Sequence, residues 1–278
     1  MISCKEYVAI KKAELKEKIA EKKSKPCLAV ITFDNDPSTN SYIKGIKKDC
    51  EEVGMILRVI KMPVDITNGE FQDALATLSC SVNVDGVLIQ SPLPEHINKD
   101  EARNNVFYKA DVDCFNKYSR TFEPCTPLGV INYLKYNNYN FEGKDICVVG
   151  RSEHVGKPLA RMLTDLNATV TLCHSKTDKR SLKTYTNISD LIITCVDKIE
   201  FFDETYFGNL SSAIDIGLGE NVNGKLRGNL DESAISYLTR EDYNNNFVIS
   251  GVGGVGLLTR LELLNNTYKA FCMQRKGE

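Results

Sequence analysis

Two glycines, Gly150 and Gly156, interrupt a stretch whose residue types suit the binding of a phosphate group. The apolar run 145–149 predicts a strand, and the helical pattern after Gly156 carries Pro158 in its first turn, where a missing N–H costs nothing. A helix that begins there directs unpaired N–H groups and its positive dipole end at the turn. The spacing is G-x5-G rather than G-x-G-x-x-G, so an ordinary βα turn with glycines for packing is an equal alternative.

A second predicted strand, 169–173, ends in polar residues that bear on the choice of nucleotide. In a dinucleotide-binding fold this strand end faces the adenosine ribose, where NAD-binding proteins usually place Asp or Glu. Here the strand is followed by Ser175 and Lys176, and Arg151 follows the first glycine of the turn. Cationic and hydroxyl groups suit a 2′-phosphate, so the sequence predicts NADP rather than NAD.

Length and composition narrow the class of protein. The chain has 278 residues, of which 42% are hydrophobic, and this is enough for one large or two modest domains. A formal net charge of −2 and a pI near 6.0 provide no basic field for nucleic acid. No apolar run approaches membrane-spanning length and the N-terminus has no signal-peptide pattern, so we expect a cytoplasmic protein without a membrane partner.

The ten cysteines and three histidines do not have the spacing of metal ligands or of a disulfide framework. No C-x-x-C pair occurs, and Cys27, Cys147, Cys173 and Cys195 lie inside apolar, strand-like runs. Such cysteines are typical of buried, reduced thiols. The sequence therefore predicts no metal site.

Helical and strand patterns alternate along the chain. In the first part we predict helices over 5–24, 41–53, 68–80 and 99–106, strands over 27–33, 56–60 and 85–90, and loops over 34–40 and 91–94. In the second part we predict strands over 145–149, 169–173, 190–195 and 212–217, and a final helix over 257–273 after a glycine-rich loop. Between these parts a helix opens with Thr126 as its N-cap and Pro127 at its first position.

This alternation predicts an α/β fold of two domains with parallel sheets, in which ligands bind at the carboxyl ends of the strands. We place an N-terminal α/β domain at 1–120 and a Rossmann-like dinucleotide-binding domain at 121–256. The C-terminal helix, about 257–278, is expected to pack back on the first domain. The ligand-binding cleft is expected between the two domains.

Several short motifs, in this order and at these spacings, are together specific for one family. They are PS at 37–38 before Tyr42, CEEVG at 50–54, DGVLIQSPLP at 85–94, DVD at 111–113, PCTP at 124–127, VGRS at 149–152, VGKP at 155–158 and CHSKT at 173–177. Along nearly its whole length the chain resembles the bacterial bifunctional methylenetetrahydrofolate dehydrogenase/methenyltetrahydrofolate cyclohydrolases. The resemblance implies a two-domain NADP enzyme of one-carbon metabolism, assembled as a homodimer.

The resemblance also implies roles for individual residues. Tyr42 would stack on the folate rings, Asp113 would hydrogen-bond the pterin, and Gln90 would lie near the one-carbon unit. The NADP site would be lined by Gly150, Arg151, Ser152, Ser175 and Leu218. On residue type alone each of the three folate residues has an alternative: a half-buried helix residue, a turn carboxylate and a strand-end cap respectively.

One departure from the family pattern bears on the second activity. The family has a lysine, credited with the proton chemistry of the cyclohydrolase, four positions after the tyrosine, and here that position is Ile46. Lys44 and Lys47 lie about 200° and 140° around the helix from Tyr42, so neither replaces it. Hydride transfer can survive this loss, but hydrolysis needs a positioned acid–base group worth about 10²–10⁴-fold. We therefore expect a working dehydrogenase with a weak or absent cyclohydrolase.

Other departures keep alternative functions open. Asp197 stands where the family tends to have glycine, Cys114 replaces the glycine after the DVD motif, and the late glycine loop lacks the family's prolines. These changes motivate a second hypothesis, a folate- or nucleotide-binding relative without catalysis. A third is another two-domain NADP dehydrogenase, such as an amino-acid or shikimate-type enzyme.

Overall fold

The computed structural model describes residues 1–33, 37–209, 211–220, 224–242 and 246–275, with the backbone alone at 37–40 and 252. The helices are α1 (Cys4–Ala20), α2 (Pro37–Val53), α3 (Asn68–Ser79), α4 (Lys99–Asn105), α5 (Cys125–Tyr136), α6 (Gly156–Thr164), α7 (Lys179–Ile188), α8 (Glu232–Leu238) and α9 (Gly256–Gln274). The strands are β1 (Cys27–Thr32), β2 (Ile56–Lys61), β3 (Gly86–Ile89), β4 (Asp145–Val149), β5 (Thr169–Cys173), β6 (Leu191–Thr194), β7 (Ser212–Asp215), β8 (Gly219–Glu220), β9 (Leu226–Arg227) and β10 (Val248–Ile249).

The chain folds as two compact units. The first, which we call the three-stranded unit, comprises Val8–Cys125 and Arg260–Glu278 and so takes in most of α9. The second, which we call the five-stranded unit, comprises Met1–Tyr7 and Thr126–Thr259.

The sheet of the three-stranded unit has the order β2-β1-β3, and all of its strands are parallel. Every residue of the central strand β1 is buried, because its side chains alternate between two apolar clusters. Leu28 and Val30 join one cluster with side chains of α1, α2 and α9. Ala29 and Ile31 join the other with side chains of α3 and α4. Helices therefore cover both faces of this sheet.

Polar contacts fasten α9 to the three-stranded unit. Asn266 donates from Nδ2 to the carbonyl of Val112 at 3.0 Å, and both groups are buried. Just after the helix, the guanidinium of Arg275 donates to both carboxylate oxygens of Asp85, at 3.0 Å and 3.2 Å. A buried carboxylate is stable only with such partners, so the end of the helix is fixed to the start of β3.

The sheet of the five-stranded unit has the order β10-β7-β6-β4-β5, again all parallel. The chain runs from β4 outward to β5 and then crosses back to β6 on the other side of β4. This reversal makes the carboxyl ends of β4 and β6 the switch point of the sheet, the place where α/β folds bind ligands. The predicted α/β class with parallel sheets is confirmed.

Two predicted boundaries are wrong. The loop predicted over 34–40 gives way to α2 at Pro37, because a proline at the first helical position needs no N–H partner; residues 34–36 lie outside the described part of the chain. Thr126 is not an N-cap, since α5 begins at Cys125. Its hydroxyl instead lies 3.0 Å from the hydroxyl of Thr259, which fixes the start of α5 to the first turn of α9.

The remaining predicted helices and strands are present, with ends that differ by a few residues. Elements without a prediction are the short hairpin β8–β9, the edge strand β10, the 3-10 turn Glu204–Tyr206 and helices α7 and α8. A π-helical turn over Gly251–Val255 occupies the predicted glycine loop and leads directly into α9. Within the described ranges, no helix combines the length and apolar character that crossing a bilayer requires.

Candidate active site

Tyr42 lies on α2, on a side of the helix that packs against the core of the three-stranded unit. Its half-buried ring contacts the cluster that includes Val112 and Cys125. Burial raises the pKa of its phenol well above the ordinary value of 10.0, and the nearby charge of Asp113 adds to the shift. The hydroxyl is therefore protonated at neutral pH, and the ring offers a flat face to an aromatic ligand.

Ile46, one turn further along α2, is sealed in the core. Its side chain is 1% exposed and belongs to the same cluster as Leu28 and Leu88. The neighbouring lysines Lys44 and Lys47 are exposed. Position 46 thus carries an enclosed hydrocarbon, which neither contacts water nor exchanges a proton.

The turn that follows α4 carries two carboxylates, Asp111 and Asp113, which have different roles. Asp111 is buried and accepts the backbone N–H groups of Phe115 and Asn116 at 3.1 Å and 3.0 Å, so it holds the turn. Asp113 is half-buried, and its pKa is raised from 3.8 to about 7, first by burial and then by the charge of Asp111. An aspartate that titrates near neutrality beside Tyr42 is a candidate functional group.

The backbone conformation at Cys114 explains why this position favours glycine. Its φ is +60°, in the left-handed region where a side chain costs about 1–2 kcal/mol. We expect Cys114→Gly to raise the free energy of unfolding by about 1 kcal/mol, measured by urea denaturation. Gly143 is the matched control, because its φ is +71° and its surroundings are open. Gly143→Ala is expected to lower the same free energy, and a loss of stability in Cys114→Gly would contradict this account.

Gln90 lies directly after β3, at the carboxyl end of the three-stranded sheet. Its backbone N–H donates to Ile31 at 2.9 Å and so extends the pairing with β1. Its side-chain amide donates to the carbonyl of Ser91 at 3.0 Å, within its own loop. The half-buried side chain can reorient toward a ligand only by giving up this local bond.

Close backbone packing explains the glycines of the turn after β4. A Cβ on Gly150 would lie 2.3 Å from the carbonyl oxygen of Cys195, and the φ of Gly150 is +129°. A Cβ on Gly156 would lie 1.9 Å from the carbonyl oxygen of Gly150. The glycines therefore bring the ends of β4, β6 and α6 together at the switch point.

The first N–H groups of α6 already have partners. Ser152 accepts from Val155 at 3.2 Å and from Gly156 at 3.4 Å through its hydroxyl, and from Lys157 at 3.1 Å through its carbonyl. The hydroxyl of Ser152 thus does what a capping side chain does. A phosphate at this helix start would bind at the exposed turn residues and share or displace the hydroxyl of Ser152.

The remaining predicted nucleotide residues lie at the same edge of the five-stranded sheet. Arg151, Ser175 and Lys176 are exposed after β4 and β5, and Leu218 is 54% exposed after β7. Parallel strands end at one edge, so these residues lie at the same end of the sheet as Gly150, where α/β folds form their ligand crevice. The glycine crevice, one guanidinium, one ammonium and two hydroxyls fit a dinucleotide with a 2′-phosphate.

A carboxylate lies beside this crevice. Asp197 is exposed two residues after Cys195, and it helps burial to raise the pKa of that thiol to about 12. Its charge opposes the binding of a polyanion.

The sequence interpretation missed structural carboxylates that support these surfaces. Asp215 accepts from Thr194 at 3.1 Å, from the N–H of Asn229 at 2.8 Å and from that of Leu230 at 3.1 Å, and so fixes the loop that follows β9. Asp49 of α2 is 211 positions from its partner Arg260 in the sequence, so no local motif could reveal that pair. Asp111 belongs to the DVD motif, but only its burial in the structure distinguishes its structural role from the functional role of Asp113.

All ten cysteines are free thiols. Seven of them lie in helices or strands. Among the residues that the structure describes, no three His, Cys, Asp or Glu side chains are grouped as metal ligands.

Comparison with known proteins identifies the family. A family model for "Tetrahydrofolate dehydrogenase/cyclohydrolase, catalytic domain" matches residues 2–113, and one for the "NAD(P)-binding domain" of the same family matches residues 124–275. The chain is 35% identical to the bifunctional protein FolD of Ruminiclostridium cellulolyticum, over 97% of this chain and 96% of that protein.

Comparison with solved structures identifies the same family. The bifunctional FolD methylenetetrahydrofolate dehydrogenase/cyclohydrolase of Campylobacter jejuni has a TM-score of 0.87 at 34% identity, and the match covers 96% of each chain. A 5,10-methylenetetrahydrofolate dehydrogenase from the silkworm Bombyx mori has a TM-score of 0.86 at 28% identity, over 98% of this chain and 97% of that one. The chain therefore belongs to the tetrahydrofolate dehydrogenase/cyclohydrolase family.

Proposed function

We propose that the protein oxidises 5,10-methylenetetrahydrofolate to 5,10-methenyltetrahydrofolate with NADP. The observation that carries this proposal is the pair Tyr42 and Asp113, an aromatic face beside a carboxyl group whose pKa is raised to about 7, in the unit that matches the family's catalytic domain. The alternative of a catalytically degenerate relative is not favoured, because the pair and Gln90 are retained in a chain that matches bifunctional enzymes over nearly its full length.

The proposed roles follow from residue chemistry. Tyr42 stacks on the flat rings of the folate, and the carboxylate of Asp113 accepts hydrogen bonds from the aminopyrimidine edge of the pterin. Gln90 orients the one-carbon unit with its amide. These groups hold the methylene carbon in place and exclude water, which is the main demand of hydride transfer.

Gly150, Arg151, Ser152, Ser175 and Leu218 are the residues that we propose for holding NADP. The bound nicotinamide supplies the hydride acceptor. Gly150 permits close approach of the pyrophosphate, and Arg151 and Ser175 bind the 2′-phosphate with a charge and a hydroxyl. Leu218 contributes an apolar contact at the same sheet edge.

We further propose that the cyclohydrolase activity, which forms 10-formyltetrahydrofolate, is weak or lost. Water attack on the methenyl carbon requires proton transfers, and position 46 supplies only an enclosed hydrocarbon. Loss of a positioned acid–base group costs about 10²–10⁴-fold. The dehydrogenase step makes no such demand on position 46.

One progress curve tests both parts of this proposal. Purified protein receives methylenetetrahydrofolate and NADP in a buffer that does not catalyse hydrolysis, and reduced cofactor and methenyl product are followed separately. We expect reduced cofactor to appear with an equal amount of methenyl product. Absence of reduced cofactor would reject the dehydrogenase. A methenyl signal that falls behind the cofactor signal, faster than the enzyme-free rate of hydrolysis, would reject the loss of cyclohydrolase.

We also propose a cytoplasmic homodimer that pairs through the five-stranded unit. The ten free thiols support the cytoplasmic compartment, since reduced cysteines persist in a reducing environment.

Exposed apolar side chains on α7, Tyr185 at 39% and Ile188 at 69%, support a dimer interface on the five-stranded unit. Light scattering during size-exclusion chromatography tests the dimer, and Ile188→Lys is expected to shift it toward the monomer.

A further inference from the structure

A partly buried charge cluster, centred on Asp49 of α2, lies outside the residues discussed so far as ligand contacts. Asp49, whose side chain is 4% exposed, accepts from Nε of Arg260 at 2.6 Å and also pairs with Lys12. Lys12 in turn lies 2.9 Å from a carboxylate oxygen of Glu52. The cluster contains two cations and two anions, so each charge in it has a partner of opposite sign.

Arg260 extends from this cluster along α2 toward Tyr42. A Cβ on Gly45 would lie 2.9 Å from Nη1 of Arg260, so the guanidinium rests on the bare backbone at that glycine. At 100° per residue, Tyr42, Gly45 and Asp49 occupy one stripe of the helix, within about 60° of each other. Asp49 thus anchors the arginine at one end of the stripe, and Tyr42 stands at the other end.

The guanidinium retains hydrogen-bond donors that a ligand can use. Nε is engaged with Asp49, while within the described ranges no acceptor contacts Nη1 or Nη2. The side chain is 20% exposed, so it is held firmly but reaches solvent. Its positive charge also acts on Tyr42, where it opposes the rise in the pKa of the phenol that burial causes.

We propose that Arg260 is a substrate-binding residue of the Tyr42 site, where its Nη groups donate hydrogen bonds to a carbonyl or carboxylate oxygen of the folate. This inference rests on the proposed function. Arg260 supplies a fixed positive charge near the tyrosine. Because a guanidinium does not release its proton near neutral pH, it binds and orients but does not replace the proton chemistry.

The test compares three variants of the purified, full-length protein with tetrahydrofolate as the probe, by calorimetry. Arg260→Met keeps the length of the side chain and removes its charge and donors. Gly45→Ala keeps the arginine but displaces its guanidinium from the helix. Lys12→Met is the matched control, because it removes the other cation from Asp49 and leaves the Tyr42 end of the stripe intact.

We expect Arg260→Met to weaken tetrahydrofolate binding about 10-fold to 100-fold, as loss of charge-assisted hydrogen bonds does, and to raise KM for the folate more than it lowers kcat. Gly45→Ala should weaken binding in the same direction. The affinity of Lys12→Met for tetrahydrofolate should stay within about twofold of the parent value. The affinity of every variant for NADP should also stay within about twofold. Arg260→Lys should recover part of the loss.

Equal losses in Arg260→Met and Lys12→Met would overturn the inference, because they would show that the cluster matters only for packing. Unchanged binding in Arg260→Met would also overturn it. Failure of the proposed function is distinguishable, since the parent protein itself would then bind no tetrahydrofolate. Repeating the titration with tetrahydropteroate, which lacks the glutamate, identifies the oxygen: a persistent effect of Arg260→Met places it on the ring system, and a vanished effect places it on the glutamate.

Discussion

Gly156→Ala is expected to lower the free energy of unfolding by about 3 kcal/mol and to abolish measurable binding of NADP. The new Cβ would lie 1.9 Å from the carbonyl oxygen of Gly150 and 3.0 Å from the N–H nitrogen of Arg151. Both are backbone atoms, so no side-chain movement relieves the clash, and α6 must shift away from the turn after β4. That shift opens the crevice in which we propose the pyrophosphate binds.

Circular dichroism during urea denaturation measures the stability of this variant, and calorimetry with NADP measures its binding. The chain has no tryptophan, so intrinsic fluorescence would report only its tyrosines. Gly69→Ala is the matched control, because Gly69 lies in α3 with nothing within 4 Å of an added Cβ. It should raise stability by about 0.5–1 kcal/mol. A Gly156→Ala protein with parental stability would refute the close packing at the switch point.

Asp113→Asn is expected to lower kcat/KM for methylenetetrahydrofolate about 10²-fold and to remove the pH dependence of folate binding. An asparagine presents one acceptor and one N–H₂ donor where two carboxylate oxygens accept, so a pterin donor meets a donor. In the parent protein the carboxyl group titrates at a pKa of about 7. Folate affinity should therefore fall as the pH decreases through 7, because only the ionised form accepts both hydrogen bonds.

Asp113 should also make the stability of the ligand-free protein depend on pH, in the opposite direction to its effect on folate affinity. The pKa of Asp113 is higher in the folded state, about 7, than its ordinary value of 3.8, so the folded state binds more protons between these pH values. The free energy of unfolding then falls as the pH rises from about 4 to 7. Burial also raises the pKa of Asp111, to about 6, so Asp113→Asn should reduce this slope, most clearly between about pH 6 and 7, and should be more stable than the parent at pH 8. Asp111→Asn should instead destabilise the turn, and a flat parent profile would contradict the burial of Asp113.

The sequence was sufficient where a local pattern determines structure. The apolar run before Gly150 and the proline after Gly156 predict the strand, turn and helix because each residue type acts on its own backbone. The alternation of such units predicts parallel sheets for the same reason. The family resemblance predicts Tyr42 and Asp113 as site residues, and the structure adds that both are half-buried and that the charge of Asp113 acts on Tyr42.

Other features depend on residues that are far apart in the sequence. Arg260 and Asp49 meet only after α9 packs beside α2. Thr126 has the chemistry of an N-cap, but packing against Thr259 places it inside the helix. Ser152 gave no capping signal, yet its hydroxyl accepts from two N–H groups at the start of α6. The two-residue strands of the hairpin β8–β9 contain too few residues for a periodic pattern.

The discontinuity of the three-stranded unit has a consequence for synthesis on the ribosome. The core of that unit includes Leu263 and Leu264 of α9, and its turn at Val112 is held by Asn266. These residues emerge only after the whole stretch 126–259, which carries nearly all of the five-stranded unit. The five-stranded unit can thus close its core while the earlier-made strands β1 to β3 still await their last helix. The nascent chain therefore completes its two units in the reverse of their order in the sequence.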